Sequence, residues 1–93
     1  MKKRYVYVVT IDWVNDDFSN GLEQKIFSSA KKAEEYIEKE FQRDLGNYQH
    51  RFNDENIEVQ RSENKKGKHI TLNEYENYAE NHVEYSCVKA EVE

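Results

Sequence analysis

The stretch Lys3-Arg4-Tyr5-Val6-Tyr7-Val8-Val9-Thr10-Ile11-Asp12-Trp13-Val14 decides the fold. It is rich in β-branched and aromatic residues and too short for a typical helix of this composition, so it reads as a strand. Side chains alternate between the faces of a strand. One face then carries Tyr5, Tyr7, Val9, Ile11 and Trp13; the other carries Val6, Val8 and Val14 with Thr10 and Asp12. Both faces are largely apolar, which predicts a central place in a sheet.

Working outward, Asn15-Asp16-Asp17-Phe18-Ser19-Asn20-Gly21 is a turn, built from residues that tolerate left-handed backbone or hydrogen-bond their own main chain. Leu22, Gln24 and Ile26 then alternate with Glu23, Lys25 and Phe27, a half-exposed strand that pairs back on the first as a long hairpin. Ser28 or Ser29 caps a helix over Ala30 to Leu45, whose Ala30, Ala33, Ile37 and Phe41 make one buried stripe with Tyr36 and Leu45 beside it. Gly46-Asn47 offers a stop, although Tyr48 and Phe52 can prolong the helix. Ile57 to Ser62, the turn Asn64-Lys65-Lys66-Gly67 and His69 to Leu72 form a second hairpin, which Arg61, Lys65, Lys66 and Lys68 mark as edge material. A short helix is expected over Glu74 to Asn81, with Tyr75, Tyr78 and Ala79 inward, and a final, rather central strand over His82 to Glu93. The expectation is one α+β domain over residues 1–93, of order ββα-ββ-αβ, with a small antiparallel sheet and helices mainly on one face.

Tyr5-Val6-Tyr7-Val8-Val9, Ile26-Phe27-Ser28-Ser29 and Lys32-Ala33-Glu34-Glu35-Tyr36-Ile37 resemble a strand, strand, "F-S-S-x-x-x-A-x-x-Y-I" helix module of small proteins of bacteria and their phages. The resemblance covers the first half and rests on packing residues, so it implies a fold and no site. In size and charge the chain is also similar to phage anti-defence inhibitors of the anti-CRISPR type.

The composition is 37% hydrophobic and 35% charged, a shift toward disorder that seven Tyr, four Phe and one Trp oppose. The lone Cys87 forms no internal disulfide, which fits a reducing, cytoplasmic setting. Met1-Lys2-Lys3-Arg4 looks like the start of a signal peptide, but the apolar run meets Asp12 and lacks a cleavage site. No stretch approaches the roughly 20 apolar residues of a membrane span. The net charge of −5 is segregated: Glu74, Glu76, Glu80, Glu84, Glu91 and Glu93 stand against Lys89 alone, while residues 1–73 hold 13 charges of each sign.

Chemistry-bearing motifs are sparse. His50, His69, His82 and Cys87 match no zinc spacing, and His82 and Cys87 fall on opposite faces of their strand. Asp12, Asn15, Asp16 and Asp17 lack the spacing and terminal Glu of an EF-hand. With three glycines there is no phosphate-cradling loop and no nucleophile elbow, so neither an enzyme nor a bound cofactor or metal is expected. A small-ligand role needs a pocket lined by Trp13, His69 or Tyr85. Lys2-Lys3-Arg4 and Lys65-Lys66-Gly67-Lys68-His69 invite phosphate contacts, but a pI near 5.2 opposes direct nucleic-acid binding.

The expected function is a non-catalytic, acidic protein-binding module: a phage or mobile-element inhibitor that occupies a basic nucleic-acid-binding surface of a host protein. Its contact residues are Glu74, Glu76, Tyr78, Glu80, Glu84 and Glu91, where carboxylates stand in for phosphates and tyrosines supply rigid contact area. The alternative is a homodimeric assembly protein that pairs through an exposed sheet edge.

Overall fold

Five of the apolar stretches become strands of one sheet, and the stripe of Ala33, Ile37 and Phe41 covers it. A computed structural model describes residues 4–15, 19–64, 67–75 and 81–92. In chain order the elements are β1 (Arg4–Val14), β2 (Asn20–Phe27), α1 (Ala30–Arg51), a 3-10 turn (Asp54–Asn56), β3 (Ile57–Asn64), β4 (Gly67–Glu74) and β5 (Asn81–Val92). The sheet order is β2-β1-β5-β4-β3, antiparallel throughout. This is a small α+β fold with one long helix.

β1 lies between β2 and β5, and β5 is the middle strand, the central places that their sequences predict. Under α1, Val9 and Ile11 meet Val83, Tyr85 and Cys87, with Ile70 and Leu72 completing the floor. Phe41 sits edge-on to Tyr85 with ring centroids 5.7 Å apart. The Tyr85 hydroxyl donates to Asp44 Oδ2 at 2.5 Å. Burial and that acidic neighbour push the phenol's pKa well above its ordinary value.

Ser29 is the helix cap, its hydroxyl accepting from the Lys32 amide at 3.1 Å. Phe27 meets Tyr36 at 5.4 Å, so the F-S-S-x-x-x-A-x-x-Y-I pattern joins strand to helix through this ring pair and the buried Ala33 and Ile37. The helix does not end at Gly46. It continues to Arg51 because the buried Tyr48 and its T-shaped partner Phe52 extend the apolar contact, offsetting a glycine cost of about 1 kcal/mol.

The second hairpin is only half edge material. β3 is an outer strand, but β4 is paired on both sides. Arg61 and Lys68 point toward the helix, where both reach Glu38: Arg61 at 2.5 and 3.2 Å, Lys68 at 3.3 Å. Arg61 also lies over the Phe41 ring, 4.8 Å from its centroid. The hydrogen bond from Arg61, foremost, holds the Glu38 carboxyl down to about 2, against an ordinary 4.5. A group depressed in the folded state stabilises above its unfolded value and loses that contribution as pH falls. Glu38→Gln is therefore expected to cost about 0.5–1 kcal/mol near neutrality, a figure already reduced for partial exposure. In urea melts the difference from wild type should shrink below about pH 4.5 and vanish near pH 2.

The short helix expected over Glu74 to Asn81 meets a different geometry at its ends. Glu74 closes β4 and Asn81 opens β5, directly opposite each other, while residues 76–80 lie outside the described residues. Tyr75 is exposed rather than inward, its amide hydrogen-bonded to the Asn56 carbonyl at 3.0 Å. No helix among the described residues is long and apolar enough to cross a membrane.

Candidate functional site

α1 covers one face of the sheet, and among the described residues no element covers the other, the bare face. By register, the bare face carries Val6, Val8, Thr10, Asp12 and Val14 of β1, Leu22, Gln24 and Ile26 of β2, His69, Thr71 and Asn73 of β4, and the even-numbered residues of β5 from His82 to Val92. Several large apolar side chains there are open to solvent, Ile26 at 69%, Leu22 at 63% and Val88 at 50%.

The charged centre of this face is Glu84. Asp12 stands directly opposite it on β1, and Thr71 directly opposite on β4. His69 Nε2 donates to Glu84 Oε1 at 2.6 Å, and His82 Nε2 lies 3.8 Å from Oε2. The other ring nitrogen of His82 is bonded to Asn73 Oδ1. Asp12 is exposed and has no hydrogen bond or ion pair among the described residues. Carboxylates directly opposite on neighbouring strands repel. Here the histidines engage Glu84 and leave Asp12 facing solvent, between Leu22 and Val14.

The three expected contact residues that are described, Glu74, Glu84 and Glu91, do not gather in one place. Glu84 is on the bare face. Glu91 is exposed but belongs to the opposite side of the sheet, across from Tyr5. Glu74 is a correction: it is only 2% exposed, accepts from Asn81 Nδ2 at 3.1 Å, and is unable to serve as a surface contact. It shares the inward side of β4 with Ile70 and Leu72, a parity that a helical reading of the segment conceals. Glu76, Tyr78 and Glu80 lie outside the described residues. Asp12, His69 and His82 were not among the expected contacts, because only the β1–β5–β4 register brings them to Glu84.

Two chemical alternatives can be read on the same geometry. Ser86 is directly opposite His69, which puts a serine, a histidine and a carboxylate on one face. No hydrogen bond joins Ser86 to His69 among the described residues, so the nucleophile–base contact of a hydrolytic site is not made. Trp13 lines a cleft of about 290 Å³ with Asp44, Tyr48, Arg51 and Val83, on the helix side. His69 is on the other face and Tyr85 is fully buried, so the three residues considered for a ligand pocket do not share one. Cys87 is buried on the helix side, away from His82, and burial raises its thiol pKa. Among the described residues no cluster of three His, Cys, Asp or Glu has the arrangement of a metal site.

Comparison with protein-family models, with curated proteins and with solved structures finds no match.

Proposed function

We propose that this chain is a non-catalytic module that binds a basic protein surface with the bare face of its sheet. The observation that carries the reading is Asp12 directly opposite Glu84, with no cation paired to Asp12 among the described residues, amid exposed Leu22, Val14 and Val88. Exposed apolar side chains supply contact area at roughly 25 cal/mol per Å² buried, and the carboxylates select and steer a cationic partner. In this reading the partner is a nucleic-acid-binding protein whose phosphate-contacting lysines and arginines meet Asp12 and Glu84 instead. The role is that of an inhibitor of phage or mobile-element origin, acting in the cytoplasm, where Cys87 stays reduced. Glu76, Tyr78 and Glu80, from the connection between β4 and β5, remain part of the proposed contact; Glu74 and Glu91 do not.

The test reverses the charge of the pair. The tagged wild-type chain is expected to retain a partner from its source cell at low salt and to release it as salt rises. The Asp12→Lys/Glu84→Lys variant, checked for an unchanged far-UV spectrum, should retain it at least about tenfold more weakly. Equal retention by the variant would overturn the reading.

A further inference from the structure

β2 is an outer strand with no neighbour on its far side among the described residues, and its two charges, Glu23 and Lys25, are of opposite sign. Its eight residues pair with β1 without a bulge from Tyr7↔Phe27 to Val14↔Asn20, and it contains no proline. Natural edge strands are usually blunted by such devices, because a straight open edge is a template for another strand.

The edge is also self-complementary. Leu22-Glu23-Gln24-Lys25-Ile26 reads apolar, acidic, polar, basic, apolar. We propose that two copies of the chain pair antiparallel through β2, with the two-fold axis at Gln24, so that the two sheets become one of ten strands. Leu22 then stands opposite Ile26 of the second copy on the bare face, and Glu23 opposite Lys25 on the helix side, each twice by symmetry.

Register supports this pairing. A two-fold axis normal to the sheet keeps each side chain on its own face, so the axis must pass through a residue. At Glu23 or Lys25 it would set like charges directly opposite. At Leu22 it would leave Glu23 opposite Gly21. Only Gln24 satisfies all four neighbours. Both charges are already held along the edge by Tyr36, whose hydroxyl donates to Glu23 and whose ring lies 4.7 Å below the Lys25 ammonium. The helices do not collide: α1 packs over β1 and β5, so at about 4.8 Å per strand the two copies of α1 lie about 19 Å apart. On the other edge, the only comparable register of β3 opposes Arg61 to Glu63, joins five residues and draws Arg61 from Glu38.

This inference stands independently of the proposed partner. Sedimentation velocity is expected to show a dimer by about 100 µM. Glu23→Lys or Lys25→Glu alone sets like charges opposite at two positions and should weaken the dimer by about tenfold or more. An equimolar mixture of the two variants restores both opposite-charge pairs, and a mixed dimer should reappear. That recovery also shows that each variant is folded. A wild type monomeric at that concentration, single variants that dimerise as well as wild type, or a mixture that stays monomeric would each overturn the proposal.

Discussion

Replacing Phe41 by alanine is expected to lower the free energy of unfolding by about 3–5 kcal/mol. Phe41 is 2% exposed at the centre of α1, against Tyr85 on one side and the Arg61 guanidinium on the other. Truncation removes the ring's transfer energy and leaves a cavity between helix and sheet that rigid strands cannot close. It also exposes the apolar underside of the Arg61–Glu38–Lys68 cluster. For a chain of 93 residues the total stability is of order 5–14 kcal/mol, so the loss is a large share of it. Urea denaturation followed by circular dichroism measures it; a midpoint unchanged from wild type would mean that α1 does not seat on β5 through this ring.

Gly67→Ala is expected to be the second severe change, costing about 1–3 kcal/mol and opening the β4–β5 end of the sheet. A Cβ built at Gly67 would lie 1.8 Å from the Cys87 carbonyl oxygen and 2.9 Å from its carbon, and both atoms are backbone. No rotamer change relieves such an overlap, so the strands must part there. The Gly67 amide also donates to Asn64 Oδ1 at 3.0 Å, which ties the same residue to the β3–β4 turn. Amide exchange should therefore quicken around Cys87 and Val88, while the far end, where Glu74 meets Asn81, keeps its protection. Uniform protection across β5 would contradict the close approach.

Much of this architecture is written in local patterns. The two-sided apolar alternation of Tyr5 to Val14 places β1 inside the sheet, and Val83, Tyr85 and Cys87 against Val88, Ala90 and Val92 do the same for β5. Ser29, Ala33 and Ile37 announce the start and inner face of α1. The errors have physical causes. The end of α1 stays open between Gly46 and Phe52 in the sequence because propensity is local, whereas the burial of Tyr48 that carries the helix to Arg51 is tertiary. Arg61 and Lys68 read as solvated edge charges, yet they share parity with Ile57 and Val59 and with Ile70 and Leu72, which turns them toward the helix and Glu38.

The candidate site was less legible for a different reason. Asp12 and Glu84 are 72 positions apart, and their juxtaposition depends on β1 pairing with β5, a non-local register that no motif encodes. The acidic excess of the last 20 residues pointed to Glu84, but it also drew in Glu74, which the fold buries, and Glu91, which the strand period sends to the other side.

Methyl NMR of the chain titrated with its captured partner tests whether the bare face of the sheet is the binding surface. The methyl signals of Val8, Val14 and Val88 are expected to shift or broaden while those of Ile37, Ile70 and Leu72 stay in place. Perturbation confined to the helix side, with the bare-face methyls unmoved, would contradict it.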